Sequence, residues 1–195
     1  MQTENSAASR NNGGNQRGRV TFYHANAKGT GTALQVELRL NRNGESRQNC
    51  MFFDMARQKT AATRDESGRT PATFDWAGKV TVKIDFPDIC ELLTVLEGRC
   101  DHVGGTRDGL YHEAGNANTI ISFKRNAEPA GYALGISKRS TAGDPIFRGQ
   151  IVLSDPEGIG LRCLLQGSLF PMTLGSAMLG GGAGAESEAA AVNEG

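Results

Sequence analysis

The chain has 195 residues, 38% of them hydrophobic, and its 21 Lys and Arg balance 21 Asp and Glu. That length suits one domain with flexible ends, and the even balance removes a globally basic coat as an argument for nucleic-acid binding. No apolar run approaches the ~18 residues of a membrane-spanning helix.

In chain order, the segment 1–19 is rich in Asn, Ser, Gly and Arg and has little to bury, so it is expected to be a disordered basic tail. It lacks the apolar core of a secretory signal. From Val20 an alternating pattern takes over. In GTALQVELRL, Thr32, Leu34, Val36, Leu38 and Leu40 share one face, and Gln35, Glu37 and Arg39 share the other. NCMFFDMA predicts a second strand on which Phe52 and Phe53 must point to opposite faces, one into the core and one free to stack. The polar span QKTAATRDESGRTP reads as a long loop.

An aromatic hairpin, TFDW, then places Trp76 on a strand edge, ahead of KVTVKIDF. There Val80, Val82, Ile84 and Phe86 alternate inward, with Lys79, Thr81, Lys83 and Asp85 outward. Pro87 opens a helix with Asp88 and Glu91 near its positive end. Ile89, Leu92, Leu93 and Leu96 form its buried stripe, and Gly98 ends it. GLYHEA, NANTIISFKRN, YALGISKRS and DPIFRGQIVLS predict four more strands.

Asp155, as N-cap, and Pro156 start a second helix, apolar over much of its surface and weakened by Gly158, Gly160 and Gly167. After Leu174 the tail 175–195 is Gly/Ala-rich and acidic, and is expected to be disordered. The folded domain is therefore 20–174. Its plan is four strands and a helix, twice: an α+β fold duplicated in architecture.

The four cysteines lack CxxC spacing, and Cys90 and Cys163 fall in helical patterns, so buried free thiols in a reducing compartment are expected. Cys100, His102 and His112 lack a fourth ligand at zinc-site spacing. GTGTAL opens a strand instead of leading from strand to helix, unlike a phosphate loop. No nucleophile elbow or carboxylate pair is present. The expectation is a protein that is not an enzyme and takes no cofactor or metal.

Single strands are held by cations tracking phosphates and by rings stacking on bases. Trp76 and Phe74 lie beside Lys79 and Lys83, Tyr111 precedes a strand ending in Lys124-Arg125, and Lys138-Arg139 closes the next. A tryptophan on a half-buried strand also suits a core or a subunit interface, and lysines on an antiparallel strand also suit a plain solvated face. Tyr23 and His24 suit either nucleic-acid contact or edge packing.

Three stretches, AKGTGTALQVEL, FDWAGKVTVKIDFPDICELL, and GLYHEAGNANTIISFKRN with YALGISKRS, resemble in order the Whirly family of single-stranded DNA-binding proteins. The two lysine positions of the family's lysine-glycine-lysine run fall here on Gly29 and Gly31, leaving Lys28 nearby. The resemblance implies a duplicated ββββα unit, with two four-stranded antiparallel sheets packed with helices, assembled as a homotetramer. It implies largely sequence-independent binding of single-stranded DNA in replication, recombination or repair. Bases would stack on Trp76, Phe74 and Tyr111, and Lys28, Lys79, Lys83, Lys124, Arg125, Lys138 and Arg139 would neutralise phosphates.

Three alternatives stand beside it: an RNA binder similar to kinetoplastid guide-RNA-binding proteins, a transcription regulator, and an assembly protein using its sheets for protein contacts. The acidic tail is expected to recruit protein partners or to shield the empty groove. The expected setting is intracellular, cytoplasmic or nucleoid-associated, with no membrane partner.

Overall fold

A computed structural model describes residues 18–40, 49–65 and 68–175. The expected tails lie outside the described residues except at their inner ends, 18–19 and 175. The elements run β1 (Arg19–His24), β2 (Thr32–Arg39), β3 (Cys50–Thr60), β4 (Thr63–Asp65), β5 (Gly68–Thr70), β6 (Thr73–Phe74), β7 (Val80–Ile84), α1 (Phe86–Leu96), β8 (Leu110–Ala114), β9 (Ala117–Asn126), β10 (Gly131–Ser140), β11 (Pro145–Leu153) and α2 (Asp155–Phe170). No described helix is long and apolar enough to cross a membrane.

The first sheet has the order β1-β2-β3-β6, with β7 also paired to β3. β7 pairs with Met51–Met55, while β6 pairs with Gln58 and Thr60, so the two lie end to end and the sheet is four strands wide. The second sheet is β11-β10-β9-β8. All pairings are antiparallel, and each sheet is followed by a helix. One hydrophobic core joins the halves: Leu34, Phe53, Met55 and Ile84 from the first sheet, Ile121, Phe123, Leu134 and Ile151 from the second, Leu92 from α1 and Leu161 from α2.

Several predicted features differ from what forms, and Phe86, expected to face inward, is exposed at the start of α1. The expected loop after β3 is instead a two-stranded arm, β4–β5, pairing Thr63 with Thr70 and Arg64 with Arg69. Its root is stapled by the Thr60 and Thr73 hydroxyls, 2.8 Å apart. A short hairpin of polar residues lacks the apolar alternation that would have revealed it. Arg19, expected in the tail, begins β1, because it pairs across to Glu37.

Both helix starts follow from capping chemistry. At α1 the Asp85 carboxylate accepts from the Asp88 N–H, and the Asp88 carboxylate accepts from the Asp85 N–H at 3.0 Å. At α2 the N-cap is Ser154 rather than Asp155: the Glu157 carboxylate accepts from the Ser154 N–H at 2.8 Å and from its hydroxyl at 2.7 Å.

The glycines of α2 are not equivalent. A Cβ at Gly158 would meet the Tyr132 ring at 2.4 Å, whereas one at Gly160 would meet nothing within 4 Å. Tyr132 cannot easily yield, being stacked on Phe123 with centroids 5.7 Å apart and capped by the Arg125 guanidinium at 4.7 Å. Gly158→Ala is therefore expected to cost about 1–3 kcal/mol through overpacking. Gly160→Ala should gain about 0.5–1 kcal/mol from helix propensity. Urea denaturation of the two variants checks the opposite signs.

His112 of β8 ties the second sheet to the α1 cap, its Nε2 lying 3.1 and 3.0 Å from the two Asp88 oxygens. That hydrogen bond, against the pull of burial, raises the His112 pKa. Burial pushes the Asp88 carboxyl up, yet the bonds from His112 and the Asp85 N–H hold it below its ordinary value. The histidine's contribution is thus fully present below its unfolded value of about 6.5 and fades as pH rises through the higher folded value. Between about pH 6 and pH 9, wild type should lose more stability than His112→Gln, read from urea midpoints across that range.

Two of the four free cysteines are exposed. Cys163, expected inside α2, faces outward and Cys100 lies in the turn after α1, whereas Cys50 is buried and its thiol is pushed up by burial.

Candidate nucleic-acid interface

In an antiparallel sheet, directly paired residues share a face. On the first sheet, the face opposite the core therefore carries two cross-strand rows: Arg19, Glu37, Phe52 and Lys83, then Thr21, Gln35, Asp54 and Thr81. Glu37 and Asp54 are buried on this open face. The Arg19 and Arg39 guanidiniums lie 3.8 and 3.1 Å from the Glu37 carboxylate. Lys79 and Thr81 both donate to Asp54. Arg19, Arg39 and Lys79 are thus paired with carboxylates buried on this face. Lys83 is exposed beside Phe52, whose ring is covered by the Arg39 guanidinium at 4.5 Å.

At the end of this face the aromatic groups converge. Trp76 stands in the turn between β6 and β7, not on a strand edge, because the Asp75 side chain accepts from the Gly78 N–H at 3.0 Å and closes the turn. Its ring meets Tyr23 edge-on at 6.3 Å, and Phe74 meets Tyr23 tilted at 5.4 Å. Phe74 and Trp76 are half-buried, and Tyr23 is 59% exposed. The three rings line an open groove together with Ala25, Ala62 and Arg69. The neighbouring β1–β2 turn carries exposed Lys28 and is pinned by Gln58, whose side-chain oxygen accepts from the Asn26 and Gly31 N–H groups at 2.9 and 3.0 Å.

The second sheet divides its basic pairs. Consecutive strand residues point to opposite faces. Lys124 and Arg139 thus lie on the open side, in register rows with Ala133 and with Asn118. Arg125 and Lys138 turn to the helix side: Arg125 lies over Tyr132 and pairs with Asp155 at the α2 start, and Lys138 is half-buried between Thr119 and Phe147. Tyr111 is 56% exposed on the open face and shares a groove with Ile120, Ser137 and Arg139.

Phe74, Trp76 and Lys83, grouped in the sequence, lie along one face of the first sheet, Phe74 against Gln58 and Lys83 against Phe52. Sequence reading left Tyr23 undecided and missed Arg69. Tyr23 alternates with core-facing Phe22 on β1, a signal that was legible; Arg69 sits in the arm, where nothing in the sequence pattern marked it.

Cys100, His102 and His112 each hold a different partner. Cys100 Sγ lies 3.0 Å from the Thr94 hydroxyl, His102 Nε2 lies 2.9 Å from the Gly105 carbonyl oxygen, and His112 is bound to Asp88.

Two duplicated antiparallel sheets, each followed by a helix and each presenting a face with rings and cations, define the Whirly-type fold, and solved structures agree. WHY1 from Arabidopsis thaliana superposes with a TM-score of 0.61 at 16% identity, covering 92% of this chain and 95% of that one. The plant transcriptional regulator PBF-2 gives 0.61 at 16% identity over 88% of this chain and 92% of its own. A guide-RNA-binding protein complex bound to a guide RNA gives 0.53 at 20% identity over 82% and 94%. No family model and no curated protein matches the sequence.

Proposed function

We propose that this chain is a single-stranded nucleic-acid-binding protein rather than an enzyme, largely indifferent to sequence, with single-stranded DNA as its ligand. The observation that carries this reading is the Tyr23–Phe74–Trp76 ring cluster, half-exposed at the rim of a sheet face and opening onto a groove. Rings offer every base the same π-face, which makes the contact sequence-tolerant. Around them, Lys28 and Lys83 are exposed on the first half, and Lys124 and Arg139 on the second. These are the groups we assign to phosphates. Tyr111 provides a second stacking position on the other sheet. Arg125 and Lys79 are assigned supporting roles through the carboxylates they already hold, and Lys138 lies on the helix side, away from the open face.

The function we assign is the handling of exposed single strands in DNA replication, recombination or repair. The test is a titration of single-stranded oligonucleotide followed by Trp76 fluorescence, with a duplex control and a salt series. Quenching by the single strand that weakens with salt supports the reading. No response at low salt rejects it and favours an assembly protein.

The structural likeness to a complex holding a guide RNA supports a second reading, an RNA-binding protein. Matched DNA and RNA oligonucleotides in competition separate the two. We further propose assembly as a homotetramer, supported by apolar side chains left exposed on and after α2, namely Ile159, Phe170 and Leu174. Light scattering of the purified protein checks the stoichiometry.

A further inference from the structure

We infer that the β4–β5 arm is a phosphate clamp for the ring groove: Arg64 and Arg69 hold the backbone of the strand whose bases occupy Tyr23, Phe74 and Trp76. This rests on the nucleic-acid reading of that groove and assigns a role to an element that reading leaves unused.

Three features lead there. First, Arg64 and Arg69 are direct cross-strand partners, both exposed, and neither forms an ion pair among the described residues. Like charges facing one another across a strand pair are destabilising. An isolated two-stranded hairpin has little stability to spare. An anion between the two guanidiniums removes that repulsion, and guanidinium forks match phosphate oxygens in geometry.

Second, the pair is placed beside the aromatic site. Arg69 of the arm, with Ala62 and Pro71 that flank it, lines the same groove as the three rings. A base on the rings thus carries its phosphate toward the arm. Third, the arm is anchored: the Thr60 hydroxyl also accepts from the Thr73 N–H at 3.2 Å, beside the Thr60–Thr73 hydroxyl contact, and the Asp75 N–H bonds to the Arg57 carbonyl at 2.8 Å.

The experiment compares wild type with the double variant Arg64→Gln, Arg69→Gln. Single-stranded oligonucleotide is titrated against Trp76 fluorescence at a series of salt concentrations. Each phosphate contact to a single strand contributes about 0.7 to the slope of log affinity against log salt. The double variant is expected to have a slope shallower by about 1.4. Between about 50 and about 200 mM salt it should lose about 7-fold less affinity than wild type. Its quenching at saturation should match wild type, because the rings remain. The variant lies outside the core, and a urea midpoint no lower than that of wild type confirms its fold.

Charge-keeping Arg64→Lys, Arg69→Lys should retain the wild-type slope. If wild type binds and the glutamine variant matches it in slope and affinity, the clamp is overturned and the groove reading survives. If wild type itself fails to quench, both fall together.

Discussion

Trp76→Ala is expected to weaken binding of a single-stranded oligonucleotide by about 5- to 150-fold, the equivalent of ~1–3 kcal/mol for one lost base stack. Because the substitution removes the intrinsic probe, the measurement is polarisation of a labelled oligonucleotide. Tyr23→Ala and Phe74→Ala should each fall in the same range. Double changes that include Tyr23 should be less than additive, since Tyr23 meets both other rings and its removal loosens them. The urea midpoint separates this effect from unfolding: Trp76 is held by a turn outside the main core, so the folded state should survive its loss. An affinity unchanged in all three variants would show that the rings are packing groups and would remove the basis of the proposed function.

Phe53→Ala is expected to cost about 3–5 kcal/mol of stability, the range for emptying a buried phenylalanine site. Phe53 is completely buried at the centre of β3, between β2 and β7. Phe52→Ala, one residue earlier, should cost far less, because Phe52 is half-buried on the open face, where its visible partner is the Arg39 guanidinium. Chemical denaturation of the pair reads the contrast. Equal losses would mean that β3 does not hold the register described here.

These two residues also show where sequence reasoning stops. That Phe52 and Phe53 must diverge follows from the two-residue period of a strand. Which one is buried depends on pairing with β2 and β7, and those partners come from elsewhere in the chain. The same limit explains the basic pairs. Lys124-Arg125 and Lys138-Arg139 look like doubled phosphate contacts in the sequence, yet each strand delivers only one member to the open face. The helix-side member finds a local partner instead, Asp155 for Arg125.

Lys79 is a subtler case. Alternation places it outward correctly, but the buried acid that engages it, Asp54, comes from a neighbouring strand. Gly158 differs from Gly160 only because Tyr132 of β10 packs against it.

The amino-acid order by itself determined the long strands, both helices with their Pro-acid starts, and the doubling of the four-strand-plus-helix plan. These depend on periodicity and local capping, interactions within a few residues of one another. Only the tertiary structure decided that Tyr23 joins Phe74 and Trp76, that an arm bearing Arg64 and Arg69 stands beside them, and that Glu37 and Asp54 engage Arg19, Arg39 and Lys79. Those outcomes depend on which distant strands become neighbours, and burial and charge pairing are properties of neighbours in space.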